Sequence, residues 1–480
     1  MQQKQAFTAD WLDRVLRPVY GEGDDGSERA DVAAIYRLAA GQSLATRNPV
    51  IVIPGILGSR IVAATAARSI WGDFGRSHVR PGTAEDARLI ALPMQPGMPL
   101  DRLTPQGVSD GSLAEVRCRF AGIPLRRRIY GTVLSALGVR GYVEAGDGEG
   151  ATPGYEGAAE AAAYEFDYDW RRSLDENAIR LQRFVVQLAR FIRSVRGQDR
   201  PVRFDVVAHS MGGLLLRYFL QYGGQLLPYD GSPPRATWEG AAWIDTAILI
   251  GTPNAGSLGS IERLVGGLTG NPVLPRYDPR IIGTMPSLYQ LLPRTRHMPL
   301  MLEGEERPLD LLDPESWLRL RWGLADPQGD EQLARLLPGI DRPSERFAIA
   351  IDHLRKCLLG AAAFQAAMDT VPPGRPPHLR LHLFAGDSIR TPAFAWSRSE
   401  DGRVRIARHA PGDGTVLRTS ALLDERAGQP WQPRLRSPIA WDSVTFVSAE
   451  HLALTHEPVT INNILYLLLE QPRPGAGLGP

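Results

Sequence analysis

The stretch Phe204-Asp205-Val206-Val207-Ala208-His209-Ser210-Met211-Gly212-Gly213-Leu214-Leu215-Leu216 constrains the chain more than any other. A short apolar run leads into a serine set among small residues, and Leu214, Leu215, Tyr218 and Phe219 then follow at helical spacing. The pattern predicts a strand, a sharp turn and a helix, with Ser210 lifted above the sheet edge and backbone N–H groups turned toward a developing oxyanion. Ala208 and Gly212, two residues to either side, are small enough for strand and helix to approach closely. Ala208 stands where G-x-S-x-G has its first glycine and adds one methyl group. The alternative is a serine capping an ordinary α/β helix.

Other apolar runs build a sheet around this unit. Asn48-Pro49-Val50-Ile51-Val52-Ile53-Pro54 reads as a strand buried on both faces, ending in the tight loop Pro54-Gly55-Ile56-Leu57-Gly58-Ser59. Beside an elbow serine, the loop after this early strand supplies half of an oxyanion hole. The backbone N–H groups of Leu57 and Met211 are the candidates, against the alternative of a plain glycine turn. No G-x-G-x-x-G opens a helix here, so the loop is not a dinucleotide fingerprint. The apolar stripe Ile179, Phe184, Val185, Leu188, Phe191 and Ile192 predicts a helix from Asp175 to about Val195, leading into the Ser210 strand. With further strands at 246–250, 378–385 and 443–447, the order of strand and helix points to an α/β fold on a mainly parallel sheet.

The remaining stretches divide the chain. Two helix-like pieces predict an N-terminal helical extension over 1–47, followed by core at 48–67. Residues 68–125 are punctuated by Pro, Gly and Ala and read as an irregular lid or cap insertion, with Trp71 and Phe74 either meeting an acyl chain or forming a buried aromatic pair. Core resumes at 126–256, a mostly helical cap insertion follows at 257–370, and 371–475 returns to core. The alternation of Tyr164, Phe166 and Tyr168 predicts a strand. Asp167 and Asp169, one strand period apart, read as helix caps or as partners of Arg171 and Arg172 rather than as a paired-carboxylate site.

Charge and special residues narrow the chemistry. A formal charge of +1 over 480 residues gives no global attraction for nucleic acid. Cys118 and Cys357 are the two cysteines, and no spacing among the nine histidines resembles H-E-x-x-H or a Cys/His cluster, so neither metal nor cofactor is expected. The first seven residues are too polar for a signal-peptide core, and no run of eighteen apolar residues occurs. A cytoplasmic protein is the expectation, with peripheral contact to a membrane or micelle surface open and partner proteins unspecified.

A serine nucleophile at 210 needs an acid and then a histidine further along the chain. Asp413, between Gly412 and Gly414, and Asp387, directly after a strand, are both candidates for the acid. His451 follows the 443–447 strand by four residues and is a better base than His456, five residues later and just before Pro458.

Taken together, the ordered segments Val52–Ser59, Ile70-Trp71, Phe166–Arg171, Ala208–Gly213, Pro286–Pro293, Gly412–Val416 and His451-Leu452 resemble the lecithin:cholesterol acyltransferase-like lipases and acyltransferases, a branch of the α/β-hydrolases, from about residue 48 to 470. The resemblance implies Ser210 as nucleophile, Asp413 as acid in preference to Asp387, and His451 as base. It implies Leu57 and Met211 as the oxyanion hole, and Ile70, Trp71 and Phe74 as lid residues in contact with lipid. The implied activity is hydrolysis or O-acyl transfer of phospholipid or other long-chain acyl esters. Two alternatives remain: a serine esterase or amidase for non-lipid substrates, and a non-catalytic lipid- or protein-binding homologue.

Overall fold

The computed structural model describes residues 47–65, 68–73, 78–112, 115–120, 123–128, 163–196, 201–232, 234–268 and 276–472. The expected N-terminal helical extension, apart from Arg47, and Phe74 lie outside these residues.

At the centre is a six-stranded sheet in the order Ser443–Val447, Arg380–Gly386, Ile244–Ile250, Phe204–His209, Val50–Ile53, Ala163–Glu165. Every neighbouring pair is parallel. All residues of Val50–Ile53 and Phe204–His209 are buried, as expected of β-branched and apolar strands covered on both faces. Side chains alternate between two layers. Ile51, Ile53, Phe204, Val206 and Ala208 pack with Leu181, Val185, Leu214 and Leu215 of the helices Leu174–Arg196 and Met211–Tyr222. Val50, Val52, Val207, Ile248 and Ile250 pack on the opposite side with Leu454, Ile464, Leu465 and Leu468 near the end of the chain.

Two regions differ from the sequence expectation. The stretch after residue 68 is irregular only in part: Ser69–Trp71 and Gly107–Ser112 pair antiparallel with Ser59–Ala63, and a short helix spans Ala84–Ile90, while 91–106 is mostly loop. A three-residue strand and a two-turn helix are too short to show a period. The strand expected to run through Tyr168 is limited to Ala163–Glu165, because the following residues leave the ladder to bond to the loop after Ile53.

Residues 257–370 contain helices at Leu258–Gly266, Pro279–Ile282, Pro286–Gln290, Pro314–Leu320, Asp330–Leu336 and Pro343–Asp369. They also contain the strand Leu300–Leu302, which pairs parallel with Ile389–Ser397. That strand forms an antiparallel hairpin with Val404–Gly412, so the chain makes a long detour between Asp387 and Asp413. No helix among the described residues is long and apolar enough to cross a membrane.

Candidate active site

Ser210 sits between the strand Phe204–His209 and the helix Met211–Tyr222 with φ 53° and ψ −124°. A non-glycine residue in the left-handed half of φ space is strained, and such strain persists where the surroundings over-determine the backbone. Here the Ser210 N–H donates to the Ile250 carbonyl of the next strand at 2.8 Å. Small residues make the turn possible. A Cβ at Gly212 would lie 2.4 Å from the Pro54 carbonyl oxygen, and one at Gly213 would lie 1.9 Å from Thr252 Oγ1. Gly55 brings the loop after Ile53 against the serine, since a Cβ there would stand 2.8 Å from Ser210 Cβ.

Three side chains meet at this turn. His451 Nε2 is 2.9 Å from Ser210 Oγ, and His451 Nδ1 is 2.7 Å from Asp413 Oδ2. Asp413 is 2% exposed. Its other oxygen accepts the N–H groups of Thr415 at 2.9 Å and Val416 at 2.6 Å, which fixes the carboxylate plane. Gly386, at the end of its strand, opens the space: a Cβ there would be 2.5 Å from Asp413 Cβ. Asp387 is half-buried one residue later, and His456 is exposed with Nδ1 3.4 Å from the neighbouring Thr455 hydroxyl. The structure therefore gathers Ser210, Asp413 and His451 into one hydrogen-bond chain and leaves Asp387 and His456 outside it.

The backbone of His451 is held as firmly as its ring. Its N–H donates to the Asp413 carbonyl at 2.9 Å. Its carbonyl lies 3.1 Å from His209 Nε2, and because a carbonyl only accepts, that nitrogen carries the proton. Burial, reinforced by the nearby His451 ring, pushes the His209 pKa well below the ordinary histidine value, so the ring is neutral. The two ring centroids stand 4.8 Å apart, and Gly251, at φ 56°, packs so closely on His451 that a Cβ there would stand 3.2 Å from its ring. Sequence reasoning missed both His209 and Gly251. The available signal was a histidine directly before the elbow serine, at the end of a fully buried strand.

Leu57 is a second non-glycine residue at positive φ, 63°, and Met211 N–H is the first of the helix, one of the donors without an intrahelical acceptor. The Leu57 carbonyl accepts the Trp71 indole N–H at 2.8 Å. Trp71 itself is 5% exposed, edge-on to Trp170 at 5.6 Å, and Ile70 is 2% exposed. Both are thus interior residues in this structure, and Trp71 braces the Leu57 peptide.

The segment following Phe166 completes the brace. Tyr168 donates its hydroxyl to the Pro54 carbonyl at 2.9 Å, and Trp170 donates its indole N–H to the Ser59 carbonyl at 3.2 Å. Next to them Asp169 and Arg171 form a buried ion pair at 2.8 Å, and the guanidinium also donates to the carbonyls of Leu89, Ile90 and Gly107. Burial works against ionising Asp169, but Arg171 outweighs it and holds the carboxyl below its usual range. Ser287 Oγ donates to the Trp170 carbonyl at 2.5 Å, tying the Pro286–Gln290 helix to the same buckle. Asp167 is half-buried. Among the described residues, no group of three His, Cys, Asp or Glu side chains is placed to hold a metal ion.

Comparison with known proteins bears on the family and the fold. Residues 151–303, about a third of the chain and including Ser210, match the family model described as lecithin:cholesterol acyltransferase. No curated protein matches the chain. Among solved structures, a chain of the Tle4–Tli4 complex overlays with a TM-score of 0.55 at 16% identity, covering 88% of this chain and 98% of that one. The mature lipase BlEst2 of Bacillus licheniformis gives a TM-score of 0.29 at 13% identity, covering 65% and 81%. Lipase 1 of Pelosinus fermentans gives 0.26 at 13%, covering 57% and 73%. The α/β-hydrolase fold accordingly stands on the parallel sheet and its elbow together with the first of these overlays.

Proposed function

We propose that this chain, an α/β-hydrolase whose residues 151–303 match the lecithin:cholesterol acyltransferase family, is a serine-dependent lipid-ester hydrolase or O-acyltransferase. The observation that carries the reading is the unbroken run of hydrogen bonds Ser210–His451–Asp413 on a strained elbow. His451, kept in one tautomer by Asp413, takes the Ser210 proton at Nε2 as the serine oxygen attacks an ester carbonyl. The N–H groups of Leu57 and Met211 stabilise the tetrahedral oxyanion, each by about 3 kcal/mol. The imidazolium then protonates the departing alcohol, leaving an acyl-serine. Water attacking that acyl group releases a fatty acid; a lipid alcohol releases a new ester. In either case His451 takes the attacking proton and returns it to Ser210.

The family match supports a lipid acyl group as substrate. Residues 68–125 are the proposed lid, with Ile70 and Trp71 in its packed base, since both are buried. The test is product analysis after incubation with phosphatidylcholine, with and without a long-chain alcohol. Free fatty acid identifies a hydrolase, and a new acyl ester formed with the alcohol identifies a transferase. Turnover confined to short soluble esters or amides contradicts the lipid assignment.

A further inference from the structure

Between the loop of Asp413 and the strand leading to His451, the chain throws out a second loop. Its sequence from Gly428 to Arg436 is Gly-Gln-Pro-Trp-Gln-Pro-Arg-Leu-Arg, and every one of these residues is exposed. Trp431 is 77% and Leu435 42% exposed. Two large apolar side chains therefore stand in water on one short loop. The chain between Arg426 and Trp441 contains no acidic residue.

The stem of this loop is fixed. Glu425 N–H donates to the Arg436 carbonyl at 2.7 Å, Ser437 Oγ donates to the Leu422 carbonyl at 2.8 Å, and Arg426 reaches across to the Gln432 carbonyl at 2.8 Å. Gly428, at φ 75°, lies against the backbone of Arg296 and His297. The acids of the stem are already paired, Asp424 with Arg426 at 2.8 Å and Glu425 with Arg296 at 2.5 Å. Arg434 and Arg436 make no side-chain bond to another described residue. A braced stem therefore holds out an indole, an isobutyl group and two uncompensated guanidinium groups.

We infer that the 428–436 loop is a docking element for the surface of a bilayer carrying anionic phospholipid. Indole rings settle at the boundary between headgroups and acyl chains, leucine enters the apolar layer, and guanidinium groups pair bidentately with lipid phosphates. A chain of net charge +1 has no long-range attraction of its own for such a surface, so the local pair of arginines supplies it. The inference stands on the loop and does not depend on the chemistry at Ser210.

The experiment uses the full chain and sedimentation with vesicles of phosphatidylcholine, with and without phosphatidylglycerol. The unmodified chain is expected to bind the phosphatidylglycerol vesicles, more weakly at high salt. R434Q/R436Q is expected to bind about thirtyfold more weakly, since each guanidinium near the surface contributes roughly fivefold. W431A is expected to bind roughly tenfold more weakly through loss of indole burial. Both variants keep the unmodified thermal unfolding curve and the rate of Ser210 labelling by a water-soluble fluorophosphonate. Failure of the unmodified chain to bind anionic vesicles, or binding by both variants as tight as its own, overturns the inference. Vesicle binding without any labelling of Ser210 leaves the docking loop standing and removes the proposed function instead.

Discussion

His209 Nε2 donates to the carbonyl oxygen of His451 at 3.1 Å, so the residue before the nucleophile holds the main chain of the base. Ser210 and His451 are 241 positions apart in the chain, yet both ends of their hydrogen bond are anchored through one strand terminus. His209→Gln keeps a donor at similar reach and is expected to retain activity within a few-fold. His209→Phe fills the space without donating and is expected to lower kcat roughly tenfold or more while KM changes little, because a displaced base acts on the chemical step. Equal losses in the two variants would show that only packing matters at this position.

Asp413 and Asp387 provide a paired test of the acid. Asp413→Asn removes the charge that sets the His451 tautomer and is expected to cost on the order of 10⁴-fold in kcat at neutral pH. Asp387→Asn, which touches neither partner, is expected to stay within a few-fold. His451→Gln and His456→Gln should divide in the same way, and initial rates on a soluble ester decide both pairs.

Trp71 links the interior to the oxyanion loop through the Leu57 carbonyl. Trp71→Phe keeps most of the ring volume and deletes the donor, leaving that carbonyl unpaired. The expected result is a loss of about 1 kcal/mol in unfolding free energy, together with slower acylation than that loss alone explains. Acylation is read from the burst of a chromogenic ester, and stability from urea unfolding. Unchanged acylation with lowered stability would confine Trp71 to packing.

Buried neutral histidines set a pH limit. Burial lowers the His353 pKa from 6.5 to about 4, with Nε2 held 3.0 Å from the Thr284 carbonyl. The unfolded chain therefore binds a proton below pH 6.5 that the folded chain does not bind until about pH 4. Stability is complete above pH 6.5 and falls as pH drops through this window, by roughly 3 kcal/mol for this group. His78, His209, His297 and His382 shift in the same direction and add to the slope. His353→Gln is expected to flatten the dependence of unfolding free energy on pH between 6.5 and 4. An unchanged slope would contradict the assignment.

The parts of the site that were legible in the sequence are those encoded by neighbours along the chain. The β-branched run Val50–Ile53 and the small residues around Ser210 each carry their own reason to form a buried strand or a tight turn. The choice between Asp413 and Asp387 was not legible from spacing, because it depends on the hairpin Ile389–Gly412 carrying the chain away and back to the same strand end. The bracing of Leu57 by Trp71 and of Pro54 by Tyr168 joins residues 14 and 114 positions apart, through side-chain bonds to carbonyls that no periodicity records. The same holds for His209, whose partner is a main-chain atom 242 residues away.

The central claim is that Ser210 is an activated nucleophile, and intact-protein mass spectrometry after exposure to a fluorophosphonate tests it most directly. The expected result is one adduct per chain, mapping to Ser210 and absent from a folded Ser210→Ala variant. An adduct on another serine, or labelling that persists in the folded variant, would contradict the account.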